Sequence, residues 1–201
     1  PHGGLIMCDT CGCTVDVEQM SGAEQVKARS DRLRGSISDE LLEDTPVFSD
    51  DAGVILKFHG VYQQDDRDLR KEARKLGRDK HHMMMIRTRI PGGIVNAEAY
   101  LAHDRIAGEW GNNTLRITTR QDFQVHGVLK GDLKRAIRAI NDGLLTTLGG
   151  CGDQERNIMS CPAPWNDALH AERNRTRAAL VTGRTPTPRP GPGLAPPAPA
   201  P

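Results

Sequence analysis

The stretch LRITTRQDFQVHGVLKGD, Leu115 to Asp132, alternates apolar and polar residues on both sides of a short polar break. A period of two commits it to two strands with one buried face, because successive strand side chains point to opposite sides. In the first strand Leu115, Ile117 and Thr119 oppose Arg116, Thr118 and Arg120. In the second, Phe123, Val125 and Gly127 oppose Gln124, His126 and Val128. Something must cover the apolar side, and the other side is left with two arginines, a glutamine and a histidine.

The flanking sequence supplies the cover. HHMMMIRTRI, residues 81–90, reads as a strand that ends at the turn PGG. NAEAYLAHDRIAGEWGNN reads as a helix capped by Asn96, with Ala99, Ala102, Ile106 and Trp110 as its buried stripe. GDLKRAIRAINDGLLTTLGG reads as a second helix, with Leu133, Ile137, Ile140, Leu144 and Leu148 on one face and Gly149-Gly150 as its stop. The order β-α-β-β-α predicts an α+β fold, a ferredoxin-like half-domain with helices on one face of an antiparallel sheet. Its expected bounds are residues 81–150.

The rest of the chain is more polar. Residues 20–80 read as an N-terminal arm with short helices. SISDELLEDT holds one, and DDRDLRKEARKLGRDK a stronger surface helix with an aspartate cap and Gly77 as its stop. Between them GVILKFHGVYQQ is expected to be extended. Residues 176–201 are rich in Pro, Gly and Arg and read as a disordered tail. Residues 1–19 form an extension, expected to be disordered, that holds Cys8, Cys11 and Cys13. Their C-x2-C-x-C spacing suits a soft metal such as zinc, nickel or copper(I), but three thiols are one short of a closed tetrahedral site. Five cysteines and no signal peptide argue for reduced thiols and a cytoplasmic protein. No apolar run is long enough for a membrane span.

Carried to the first strand, the alternation puts Arg87 and Arg89 with Arg116, Arg120, Gln124 and His126 on the uncovered face. Four guanidinium groups repel one another unless an anion neutralises them. Three readings compete. A solvated basic face is the bland one. Nucleic acid is disfavoured, because the net charge is only +1 and aromatics are 3% of residues. A polyanionic cofactor is the third, with an arginine for each carboxylate.

LKFHGVYQQDDRD, IRTRIPGG, LRITTRQDFQVHGVLKGDLK, AINDGLLTTLGGCGDQERNIMSCPAP and DALHAE together resemble the N-terminal part of the nitrite/sulfite reductase hemoprotein family. The similarity runs from about Met20 to Glu172 and is nearest to the assimilatory sulfite reductase branch. It implies six-electron reduction of sulfite to sulfide, or of nitrite to ammonia, by siroheme coupled to a [4Fe-4S] cluster. The electron donor would be a flavoprotein subunit or a ferredoxin. Siroheme carries eight carboxylates, which suits the arginine face. The resemblance implies that Arg87 and Arg156 face the substrate anion. It implies that Arg116 and Arg120 pair with siroheme carboxylates, and that Gln124 and His126 line the pocket. Thr118 and Asn157 are further polar contacts, and Arg89 reads as a brace for the strand. His81, His82 and His103 have no assigned role and are expected at the surface.

Two departures from the family matter. The four cluster cysteines of the family follow a C-x5-C…C-x3-C pattern, which these 201 residues do not contain. Residues 151–175 read as the start of a siroheme-binding domain, and past Glu172 the similarity fails. The expectation is an N-terminal fragment, inactive alone, preceded by an over-extended start. A non-catalytic tetrapyrrole-binding or metal-binding module is the alternative.

Overall fold

Two short strands, β1 (Leu5–Met7) and β2 (Thr14–Asp16), pair antiparallel in a ladder of their own. The structure, a computed structural model, describes residues 5–7, 14–16, 19–150, 157–160, 168 and 172. The paired strands lie in the extension expected to be disordered. The cysteines between them lie outside the described residues.

Three helices follow, α1 (Gly22–Ala28), α2 (Ile37–Glu40) and α3 (Asp50–Phe58). The segment expected to be extended is therefore split. Ser49 caps α3 by accepting from the Ala52 N–H at 3.3 Å, and Asp50 and Asp51 suit the first turn. Gly60, at φ +73°, then turns the chain into β3 (Val61–Asp65). Next comes α4 (Arg67–Lys75). Asp66 caps it by accepting from the N–H groups of Asp68 and Leu69, and Gly77 follows its end at φ +64°. It buries no residue, as its composition predicted.

β4 (His82–Thr88) leads through a 3-10 turn at Pro91–Gly93 to α5 (Ala97–Glu109), whose cap is Asn96 accepting from Ala99 N–H at 2.7 Å. The hairpin β5 (Leu115–Ile117) and β6 (Phe123–Val128) and the helix α6 (Leu133–Asp142) complete the fold. The sheet is antiparallel, in the order β3-β4-β6-β5. β3 comes from the segment assigned to the arm, so the sheet has one strand more than β-α-β-β-α supplies.

Register explains the core. Val61, Ile86, Val125 and Leu115 form one cross-strand row. Ala52 and Leu56 of α3, Ile106 and Ala107 of α5, and Leu133, Ala136 and Ile140 of α6 pack with it in one cluster. Burying apolar area stabilises by roughly 25 cal/mol per Å2, so this shared face holds the helices on.

Three expectations are corrected. α6 stops at Asp142 rather than at Gly149-Gly150; Asn-Asp-Gly is the stronger break, and Leu144 (φ +61°) and Leu148 are exposed. Val128 lies in the core, not on the arginine face. Met84 pairs with Val128 and Ile86 with Val125, so three steps of β6 match two of β4. This β-bulge reverses the alternation, and Gly127 takes φ +83° within it. His103 is fully buried instead of exposed. Its Nδ1–H donates to the Ala99 carbonyl at 2.6 Å, and its ring meets Phe123 edge-on at 5.1 Å.

Candidate functional site

The second face of the sheet has a row of its own. Arg87 of β4 pairs with Gln124 of β6, and Gln124 pairs with Arg116 of β5. Directly opposed residues of antiparallel strands share a face. None of these three belongs to the core cluster. Tyr62, paired with Met85, extends the face onto β3. Gln124 is buried, Arg87 and His126 are half-buried and Arg116 is exposed.

Gln124 is the hub. With its amide oxygen turned to Arg87, it accepts from Arg87 Nε at 3.0 Å and from Nη2, while its NH2 group donates to His126 Nε2 at 3.3 Å. Burial, and after it the Arg116 and Arg87 guanidiniums, push the His126 imidazole below the ordinary histidine value. A neutral imidazole is the form that accepts from Gln124.

The β5–β6 turn closes one end of the row. Thr118 N–H donates to the Asp122 carbonyl at 3.0 Å, and Thr118 Oγ1 donates to Asp122 Oδ1. Gln121, at φ +61°, takes the left-handed turn position. Residues 157–160 dock on this turn. Asn157 Nδ2 donates to the Arg120 carbonyl at 2.8 Å, and Gln121 exchanges two hydrogen bonds with the Ser160 backbone at 2.8 and 2.9 Å. Ser160 Oγ donates to Gly92 O and Gly92 N–H to Ile158 O, both at 2.7 Å. The RIPGG turn and the segment after Arg156 are thereby tied to the hairpin.

The structure thus brings together Arg87, Arg116, Gln124 and His126 on one face. Arg120 and Thr118 sit on the turn, where Thr118 clamps Asp122. Arg89 continues β4 as a brace, donating its N–H to the Thr146 carbonyl at 2.7 Å. Asn157 is buried, and among the described residues its Oδ1 has no hydrogen-bond partner. Arg156, Cys8, Cys11 and Cys13 lie outside the described residues. Among the described residues, no group of three His, Cys, Asp or Glu side chains is arranged to hold a metal ion.

Sequence reasoning missed Asp122 and the glycines Gly60 and Gly150. A Cβ on Gly60 or on Gly150 would stand 2.7 Å from the Arg87 carbonyl oxygen. Arg87 N–H donates to Gly60 O at 2.7 Å. The signal was there in FHG and LGG, glycines flanking apolar runs, where backbone passes close to backbone.

Comparison with known proteins decides the family. Residues 75–143 match the family model described as the nitrite/sulfite reductase ferredoxin-like half domain. This segment belongs to the nitrite/sulfite reductase family. The half domain and its flanks are 47% identical over 154 residues to the sulfite reductase [NADPH] hemoprotein beta-component of Anoxybacillus flavithermus, covering 76% of this chain and 27% of that protein. They are 46% identical over 165 residues to the sulfite reductase [ferredoxin] of Synechococcus elongatus, covering 82% of this chain and 26% of that protein. The chain spans about a quarter of the length of these curated relatives. The solved structure of the Mycobacterium tuberculosis NirA protein superposes with a TM-score of 0.57 at 20% identity, over 71% of this chain and 27% of that one. That likeness supports the fold of the half domain.

The donors on the half domain's second face suit a polycarboxylate. Arg87 and Arg116 bring guanidinium donors, and Gln124 brings an amide whose oxygen is already engaged by Arg87.

Proposed function

We propose that this chain supplies one wall of a siroheme site in a sulfite reductase hemoprotein. The row Arg87–Gln124–Arg116, with His126 beside it, carries this reading. Three features support it: the donors are cationic or amide, they share one face, and they are ordered by strand pairing. The family match and the names of the relatives support sulfite as the substrate. When bound, siroheme coupled to an iron–sulfur cluster would supply electrons to the substrate anion. Arg116 and Arg120 would pair with its carboxylates, and His126 and Gln124 would line its pocket, with Thr118 and Asn157 holding the adjoining turn. Arg87 and Arg156 bind the substrate anion and stabilise negative charge on its oxygens as it is reduced. The electron donor is a flavoprotein subunit or a ferredoxin; the relatives' names carry NADPH in one case and ferredoxin in the other. The protein acts in the cytoplasm. Among the described residues no helix is long and apolar enough to cross a membrane.

Titration of the purified chain with siroheme, followed by the absorption shift of the tetrapyrrole, tests the site. Saturable 1:1 binding is expected. Arg116→Ala should weaken it about two- to fivefold, which corresponds to roughly 0.4–1 kcal/mol for an exposed ion pair. Binding that does not saturate, or that ignores both Arg116→Ala and Arg120→Ala, sinks the reading. Nitrite is the second reading, because the matching family model spans nitrite and sulfite reductases. Competition of sulfite against nitrite in an Arg87-dependent binding assay separates the two.

A further inference from the structure

We infer that Asp122 is a positioning residue for Arg87. This rests on the proposed role of Arg87 in binding the substrate anion. Asp122 is fully buried, and its Oδ1 lies 3.9 Å from Arg87 Nε. That is an ionic contact rather than a hydrogen bond. One hydrogen bond holds the carboxylate, and two more fix the Asp122 backbone in the β5–β6 turn. Thr118 Oγ1 donates to Oδ1, Thr118 N–H donates to the Asp122 carbonyl at 3.0 Å, and Asp122 N–H donates to Thr118 Oγ1 at 3.4 Å.

Arg87 is therefore gripped along one edge. Gln124 Oε1 accepts from its Nε and Nη2, and Asp122 sets a fixed negative charge next to the same Nε. A guanidinium offers two edges for paired hydrogen bonds, one through Nε and one through the two Nη groups. Holding the Nε edge sets the direction of the Nη edge. A long side chain otherwise spreads over many rotamers, and ordering it at binding costs affinity. Asp122 removes that freedom in advance. It belongs to the turn rather than to the alternating row, which is why strand parity does not find it.

The sign of one substitution separates positioning from plain charge. Asp122→Asn removes a negative charge beside an anion site. If Asp122 acts only by its charge, the variant binds sulfate more tightly. If it positions Arg87, the variant binds sulfate severalfold more weakly. The second readout needs no ligand. The Arg87 Nε–Hε resonance of the 201-residue chain should exchange slowly with water, and at least tenfold faster in Asp122→Asn. Thr118→Val keeps the carboxylate but removes its hydroxyl donor, and should loosen Arg87 in the same direction. It carries the test if Asp122→Asn does not fold. An Arg87 resonance unchanged in the folded variants, or tighter sulfate binding by Asp122→Asn, overturns the inference. Absence of sulfate binding by the wild-type chain counts against the proposed anion role of Arg87 and leaves the exchange result to decide on Asp122.

Discussion

Thr88 and His103 meet in the core through a 2.7 Å hydrogen bond between Thr88 Oγ1 and His103 Nε2. Because His103 Nδ1–H is committed to the Ala99 carbonyl, Nε2 is the acceptor and Thr88 the donor in the neutral ring. Thr88 directly follows Arg87, so this bond fastens the strand end that carries the site to α5.

Stability should fall on mild acidification because of that pair. Burial pushes the His103 imidazole below the ordinary histidine value, against a smaller upward pull from its bond to Ala99. The folded state then favours the neutral ring. Its contribution is fully present above the unfolded value, about 6.5, and is lost as pH falls through the lower folded one. His126 is shifted in the same direction and adds to the slope. Urea midpoints measured between pH 7.5 and 5 should decline, and His103→Gln should flatten part of the decline. An unchanged slope in that variant would show that His103 is not the titrating group.

The bulge should tolerate no side chain at its glycine. A Cβ on Gly127 would stand 2.7 Å from Asn112 Cβ and 3.0 Å from Asn112 N, at a backbone φ of +83°. Gly127→Val should cost roughly 2–4 kcal/mol, from left-handed strain and from the clash. Thermal melting reads the loss. Gly131→Val, where a Cβ meets nothing within 4 Å, is the control and should melt near wild type.

Lys130 should behave as a structural lysine. It is buried, donating from Nζ to Thr45 Oγ1 at 2.6 Å and to the Val47 carbonyl at 2.9 Å, with Nζ 4.7 Å from the centre of the Phe48 ring. Lys130→Met keeps the length but removes one of two donors to the Val47 carbonyl, which keeps Thr45 Oγ1 at 3.1 Å, at a cost of about 0.5–1.5 kcal/mol. Limited proteolysis should then cut first within residues 43–48. Protection equal to wild type would argue that the arm is held elsewhere.

Gly150 should transmit a remote change to the site. Its Cβ would press on the carbonyls of Arg87, at 2.7 Å, and of Thr147, at 3.1 Å. Backbone cannot yield as a flexible side-chain tip can. Gly150→Ala should therefore shift the Arg87 amide resonance by more than it shifts those of α4, which lies elsewhere on the surface. It should destabilise by roughly 1–3 kcal/mol.

The alternation of β6 located Gln124 and His126 and that of β4 located Arg87, because burial on one side leaves parity no choice; β5 keeps the parity that located Arg116, although Ile117 on its apolar side is exposed. Parity failed at Val128, where one extra residue in β6 restarted the count. Periodicity overran at Leu144 and Leu148, which keep the helical spacing beyond a stop at Asn-Asp-Gly. It placed His103 at the surface because polar type outweighed position; the ring meets Thr88 and Phe123 only after α5 docks on the sheet. Asp122 was invisible for a different reason. Its role depends on a turn that brings Thr118 back over it, and no period encodes that.

The row Gly60–Arg87–Gln124–Arg116 is also a ruler. Neighbouring strands stand about 4.8 Å apart, so the two arginines, separated by the strand of Gln124, start from backbone positions about 10 Å apart. That interval belongs to the hydrogen-bond ladder, not to side-chain choice. A broad, rigid polyanion can meet both guanidiniums from these fixed starting points without drawing the two side chains together, so the ladder favours it by spacing as well as by charge.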